Sequence, residues 1–153
     1  MSLVIRRARL RGALLTALLV CVISPPGLAT VFVNKAAPGA THDGTSWATA
    51  FLTVQEGITA ASAAKDEVWV AQGTYVENLT IGAGVKLYGG FAGTETATSQ
   101  RDYKARITTL DGDKKDRVIY MPAGASDAVV DGFTITNGHT TEHGGAIRAN
   151  DCS

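Results

Sequence analysis

The feature that most constrains this chain is a recurring sequence pattern. Val85-Lys-Leu-Tyr-Gly-Gly-Phe91, Thr108-Thr-Leu-Asp-Gly112, Val129-Val-Asp-Gly-Phe-Thr-Ile135 and Asn150-Asp151-Cys152 align on one pattern, with apolar or β-branched residues leading into Tyr-Gly or Asp-Gly. The steps Tyr88 to Asp111, Asp111 to Asp131 and Asp131 to Asp151 are roughly 20 to 23 residues, a period that suits one coil of a β-solenoid. Such a coil pairs each short strand in parallel with the coil below and turns at corners. Gly supplies the dihedrals that a Cβ would forbid there. Asp and Asn tolerate the left-handed region and bond their own backbone. Asp111, Gly112, Asp131, Gly132 and Asp151 are therefore expected at corners, with Gly89 and Gly90 as their counterparts after Tyr88.

Short runs bounded by turn residues mark the strands: Val31–Val33, Val68–Val70, Leu79–Ile81, Val85–Tyr88, Ile107–Leu110, Val118–Met121, Ala128–Val130, Phe133–Thr136 and Ala146–Arg148. Only one segment reads as a helix, Thr53–Ala64. Thr53-Val-Gln-Glu56 is a capping box. Val54, Ile58 and Ala61 fall at i, i+4 and i+7 on one apolar face. The expected fold is all-β, a parallel β-helix with one N-terminal capping α-helix. The helix is expected to cover the open edge of the first coil, seated by Phe51 and Leu52.

Residues 1–29 have the order of a secretory leader: Arg6, Arg7, Arg9 and Arg11, an apolar run from Ala13 to Ile23, the breakers Ser24, Pro25, Pro26 and Gly27, and a small-residue site ending at Ala29. The run is about half the roughly 20 residues a membrane span needs. Sec export to the outside or the cell surface is expected, with residues 30–153 as the mature domain. The whole chain is neutral, with 14 basic and 14 acidic residues. Removing four arginines leaves the remainder mildly acidic, which disfavours nucleic acid or anionic membrane as a partner. Cys21 leaves with the leader. Cys152 then has no partner for an internal disulfide and is expected to be buried as a small hydrophobe.

Asp43-Gly-Thr-Ser-Trp47-Ala-Thr-Ala50, Asp66-Glu-Val-Trp-Val-Ala-Gln-Gly-Thr-Tyr75-Val-Glu77, Leu87-Tyr-Gly-Gly-Phe-Ala-Gly-Thr-Glu95, Ser99-Gln-Arg-Asp102, Val130-Asp-Gly-Phe-Thr-Ile-Thr136 and Gly144-Gly145-Ala-Ile147 occur in that order. This succession resembles the N-terminal part of bacterial exported proteins with pectin-lyase-like right-handed parallel β-helices. Gly144-Gly-Ala-Ile147 also resembles half of the repeat of polymorphic outer-membrane proteins, whose companion Phe-x-x-Asn does not occur here. The resemblance implies a fold, not a reaction. Within it Trp47 is a structural residue near the helix cap and Tyr75 a corner residue. Trp69 alternates with Val68 and Val70, so it is either packed under the helix, the preferred reading, or exposed as a sugar platform.

Three constellations bear on chemistry. His139-Thr-Thr-Glu142-His143 matches the inverted zinc-protease pattern, but Asn137-Gly138 and Gly144-Gly145 bracket it too tightly for a helix, so a loop without catalytic zinc is expected. Asp111, Asp113 and Asp116 are weak Ca²⁺ candidates; interleaved Lys114, Lys115 and Arg117 favour a solvated turn. A polygalacturonase-type set is incomplete, with only Gly138-His139 and Arg148 present, and no acid/base carboxylate pair can be nominated. No catalytic residue, cofactor or metal is assigned. The expected function is non-catalytic: adhesion, contact with polysaccharide or host cell-surface glycan, or envelope structure. The alternative is the N-terminal part of a lyase or hydrolase acting on acidic polysaccharide. The chain stops about one period after Asp131, so further coils of the same protein or another subunit are expected at that edge.

Overall fold

The computed structural model describes residues 30–62, 66–141 and 144–150. It is mostly strands in parallel sheets, with one α-helix among the described residues. The elements are β1 (Thr30–Val33), α1 (Val54–Ser62), β2 (Glu67–Ala71), β3 (Gly73–Val76), β4 (Leu79–Thr80), β5 (Lys86–Phe91), β6 (Thr108–Asp111), β7 (Ile119–Met121), β8 (Val129–Asp131), β9 (Thr134–Thr136) and β10 (Ile147–Ala149), with a 3₁₀ turn at Thr98–Gln100. The first sheet has the order β1-β2-β5-β8, the second β3-β6-β9 and the third β4-β7-β10. From β2 onward the chain visits the three sheets in the same order three times.

Register explains the residue choice. Val31, Val68, Leu87 and Val130 occupy one position on four successive strands of the first sheet. Tyr75, Leu110 and Ile135 do the same in the second, and Leu79, Ile119 and Ile147 in the third. Parallel strands lie about 4.8 Å apart, so each apolar residue rests on the next. Val68, Val70, Leu79, Ile81, Leu87, Leu110 and Ile119 are wholly or almost wholly buried in one core.

The period differs from the expected one. Trp69 to its partner Tyr88 is 19 residues, and Tyr88 to its partner Asp131 is 43. Asp111 is not equivalent to either: it belongs to the second sheet, opposite Val76 and Thr136. The Tyr-Gly and Asp-Gly pairs share residue types but neither place nor backbone geometry: Gly132 has φ +82°, whereas Gly89 and Gly112 do not have positive φ. The spacing varies because one residue, Gln72, joins β2 to β3, whereas residues 92–107 join β5 to β6.

Two further expectations change. Gly89 and Gly90 are not at a corner but inside β5, where the register slips by one residue. Gly90 has φ +92°, and a Cβ there would lie 2.7 Å from Tyr103 Cα, so only glycine fits. Tyr75 lies within β3 and is buried. Its hydroxyl donates to the Ala71 carbonyl at 3.0 Å and accepts the Lys35 amide at 3.4 Å, so it steadies the Ala71–Gly73 corner from inside. Burial, opposed by the Lys35 hydrogen bond and aided by Glu77, pushes its pKa up to about 12. Gly112 and Gly132 do follow strand ends, and Gly144 and Gly145 precede β10.

Helix α1 buries Val54, Gly57, Ile58 and Ala61, the expected face. The capping box forms: Thr53 Oγ1 donates to Glu56 Oε2 at 2.7 Å, the Thr53 amide donates to the same oxygen at 3.2 Å, and the Glu56 amide donates to Thr53 Oγ1 at 3.3 Å. Glu77, at the end of β3, adds its carboxylate: Oε1 accepts the Val54 amide at 2.8 Å and Oε2 the Gln55 amide at 3.0 Å. The helix contacts β1, β2 and β4. The edge of β1, however, is covered by residues 44–51, not by the helix alone. Phe32 exchanges backbone bonds with Gly44 and Phe51, and the Asn34 amide donates to the Phe51 carbonyl. Phe51 packs against the core, but Leu52 is exposed. Among the described residues no helix is long and apolar enough to cross a membrane. Residues 1–29, expected as a leader, and Asp151 and Cys152 lie outside the described residues.

Candidate functional site

The outer face of the first sheet carries the largest side chains. Phe32, Trp69, Tyr88 and Asp131 share one register position on four successive strands. Trp69 is buried and Phe32 half-buried. Trp69 is 5% exposed, and its cover is aromatic, not the helix: Phe91 stacks on it and Phe32 meets it edge-on at 5.7 Å. Trp47 meets Phe32 at 4.8 Å, and its Nε1 donates to the Glu95 carbonyl at 2.8 Å. Trp47 thus belongs to this outer cluster instead of the helix cap, and Trp69 is neither under the helix nor a sugar platform.

Beyond the cluster the face opens at Tyr88. The 92–107 connection folds back beside it and is held by its own side chains. Glu95 accepts the amides of Ala92 at 2.6 Å, Thr94 at 2.9 Å and Gly93 at 3.0 Å. Burial pushes the Glu95 carboxyl up, but these amides outweigh it and hold it below the usual range. Gln100 Oε1 accepts the Thr96 and Ala97 amides. Asp102 Oδ1 accepts those of Lys104 and Ala105, both at 3.1 Å, and the Asp102 amide donates to the Gly90 carbonyl at 2.8 Å. Arg101 is fixed from two sides. Its guanidinium carbon lies 5.0 Å from the Tyr88 ring centroid, and its Nη2 is paired with Asp131 Oδ2.

The result is a recess of about 420 Å³ lined by Glu67, Tyr88, Thr98, Ser99, Arg101 and Tyr103. Tyr103 is 51% exposed. Glu67 Oε2 accepts the Trp69 Nε1 hydrogen at 3.0 Å. Burial raises the Tyr88 pKa, helped by the negative charges of Glu67 and Asp131 and opposed by Arg101, so the phenol stays protonated.

The residues singled out from sequence are not brought together into a reactive centre. Asp111 accepts the Asp113 amide and the Asn137 side-chain amide. Asp113 pairs with Lys115 at 2.7 Å, and Asp116 accepts the Arg117 amide. No three His, Cys, Asp or Glu residues converge on a metal position among the described residues. His139 donates its backbone amide to the Asp116 carbonyl; Glu142 and His143 lie outside the described residues. Arg148 stands in register with Tyr120 and Thr80 on the third sheet, with its Nε donating to Asn150 Oδ1 at 2.9 Å.

Sequence reasoning did not find Glu67, Tyr103 or the Arg101 clamp. The available signal was length: 92–107 is the longest connection from β2 onward, and long connections in compact domains tend to carry function. Comparison with known protein families, with curated proteins and with solved structures finds no match to this chain.

Proposed function

We propose that this chain is an exported right-handed parallel β-helix, capped by α1, whose outer surface makes non-catalytic contact with glycan at the cell surface or after secretion. The observation that carries the reading is the three-sheet order, repeated three times with parallel pairing throughout. That arrangement stacks outward side chains in straight columns, a surface suited to extended polymers. Residues 1–29 supply the route out, with Ala29 as the last leader residue.

The disposition of the carboxylates supports a non-catalytic role. Glu77 caps the helix, Glu95 and Asp102 hold turns, Asp131 holds Arg101, and Glu67 accepts from Trp69. Among the described residues, the carboxyls of Asp43 and Glu95 are held low by hydrogen bonds, as suits carboxylates that fix turns.

The test pairs retention with turnover. The exported protein is incubated with isolated cell envelope and with soluble polysaccharides, and both bound protein and released sugar are measured. Binding without release is expected. Unsaturated or reducing uronate released from pectin or alginate would replace this reading with a lyase or hydrolase. N-terminal sequencing of the exported form should begin at Thr30.

A further inference from the structure

We infer that the recess between Tyr88 and Tyr103 is a subsite for an uncharged sugar ring. The inference rests on the glycan-contact reading and narrows it to one place and one ligand class. At about 420 Å³ the recess falls in the range of roughly 300–1,000 Å³ usual for small-ligand sites. Its walls combine the half-exposed aromatic side chain of Tyr103 with the hydroxyls of Ser99 and Thr98, the Tyr88 phenol and the Glu67 carboxylate. A pyranose has that duality: C–H groups on its faces and hydroxyls around its rim. An aromatic ring takes the first and convergent polar groups take the second.

Charge selects against acidic ligands. Arg101, the one cation among the lining residues, is already paired with Asp131, and Glu67 puts a negative charge on the same wall. A uronate, sulfate or phosphate would have to compete with Asp131 for Arg101 and would meet Glu67. The recess is also built in advance. Glu95, Asp102 and the close approach of Tyr103 to Gly90 fix the connection, so little ordering cost remains for binding.

Affinity gel electrophoresis tests this with hydroxyethyl cellulose and galactomannan as neutral probes and polygalacturonate and alginate as acidic ones. The neutral gels should retard the protein. Tyr103→Ala should weaken that retardation about tenfold, the scale of one lost aromatic contact, while Tyr103→Phe retains it. Ser99→Trp, which fills the recess from an exposed position, should abolish it without lowering the melting temperature. Retardation that survives both Tyr103→Ala and Ser99→Trp, or that occurs only in acidic gels, overturns the subsite and leaves glycan contact standing. Retardation by no polysaccharide overturns both.

Discussion

Trp69 and Phe91 lie ring on ring, with centroids 4.8 Å apart and planes 9° from parallel, yet they are not opposite one another in the sheet. Trp69 faces Tyr88, and Phe91 faces Ala71, because β5 carries one extra residue at Gly89–Gly90. Side chains alternate along a strand, so one inserted residue moves Phe91 from the inner face to the outer one. The first sheet is thereby packed on both sides, with Val68 and Leu87 inside and Trp69 and Phe91 outside.

Phe91→Ala should therefore behave as a core truncation although the residue is on the outer side. A loss of about 3–5 kcal/mol is expected, read from the urea midpoint. Tryptophan emission should shift to the red as Trp69 gains water. A loss below about 1 kcal/mol would mean that the outer cluster is a surface decoration.

Gly57→Ala should reverse the usual helix rule. Alanine in a helix interior normally gains about 0.5–1 kcal/mol over glycine. Here the new Cβ would lie 2.5 Å from Val33 Cγ2 and 3.0 Å from Val68 Cγ1. Overpacking should cost about 1–3 kcal/mol instead. Val33→Ala, which removes the nearer methyl group, should recover part of that loss in the double variant. A Gly57→Ala protein more stable than the parent would show that α1 sits further from the sheet.

Local chemistry was legible in the sequence, and long-range register was not. Each expected strand is present to within a few residues, because short β-branched runs between turn residues have few other uses. The helix, its buried face and the Thr53–Glu56 box were likewise readable. β3 was missed because Gly73-Thr-Tyr-Val76 has little apolar content, and Tyr75 looked like a turn residue. The spacing between paired strands is not legible because Tyr88, Asp111 and Asp131 share glycine neighbours while lying in two sheets. The recess depends on Arg101 meeting Asp131 across 30 residues, a pairing with no periodic signature.

The N-terminus of α1 should depend on a local hydroxyl, Thr53, and a distant carboxylate, Glu77. Thr53→Ala should cost about 1 kcal/mol through its bond to the Glu56 amide. Glu77→Ala should cost a similar amount or more, since it exposes the Val54 and Gln55 amides together and removes a negative charge from the positive helix end. Urea midpoints of the two single variants and the double variant measure both terms. A neutral Glu77→Ala would mean that water caps the helix equally well.

Acid should loosen the 92–107 connection before the rest of the protein. The Glu95 carboxyl is held below its ordinary value of 4.5 in the folded state. Its contribution is therefore fully present above pH 4.5 and is lost as pH falls through the lower, folded value. Amide exchange of Ala92, Gly93 and Thr94 should rise in that window. In Glu95→Gln the exchange should already be faster at neutral pH and should lack this acid step. Equal pH profiles for the two proteins would remove Glu95 as the organiser of the loop.

Alkali should act through Tyr75. Its phenol ionises near 10.0 in an unfolded chain and at about 12 in the folded one, chiefly because burial opposes the phenolate. The raised value means that its stabilising effect is complete below pH 10.0 and disappears as pH climbs toward about 12, where the unfolded chain has already lost the proton. Tyr75→Phe removes the ionisation together with the bonds to Ala71 and Lys35. At neutral pH the variant should be less stable by about 1 kcal/mol, the net worth of such a bond. With rising pH its urea midpoint should fall less steeply than the parent's, and the two curves should converge. Tyr88, also raised, titrates in both proteins and drops out of the difference. Parallel curves would place the Tyr75 hydroxyl in contact with water and undo the account of the corner it steadies.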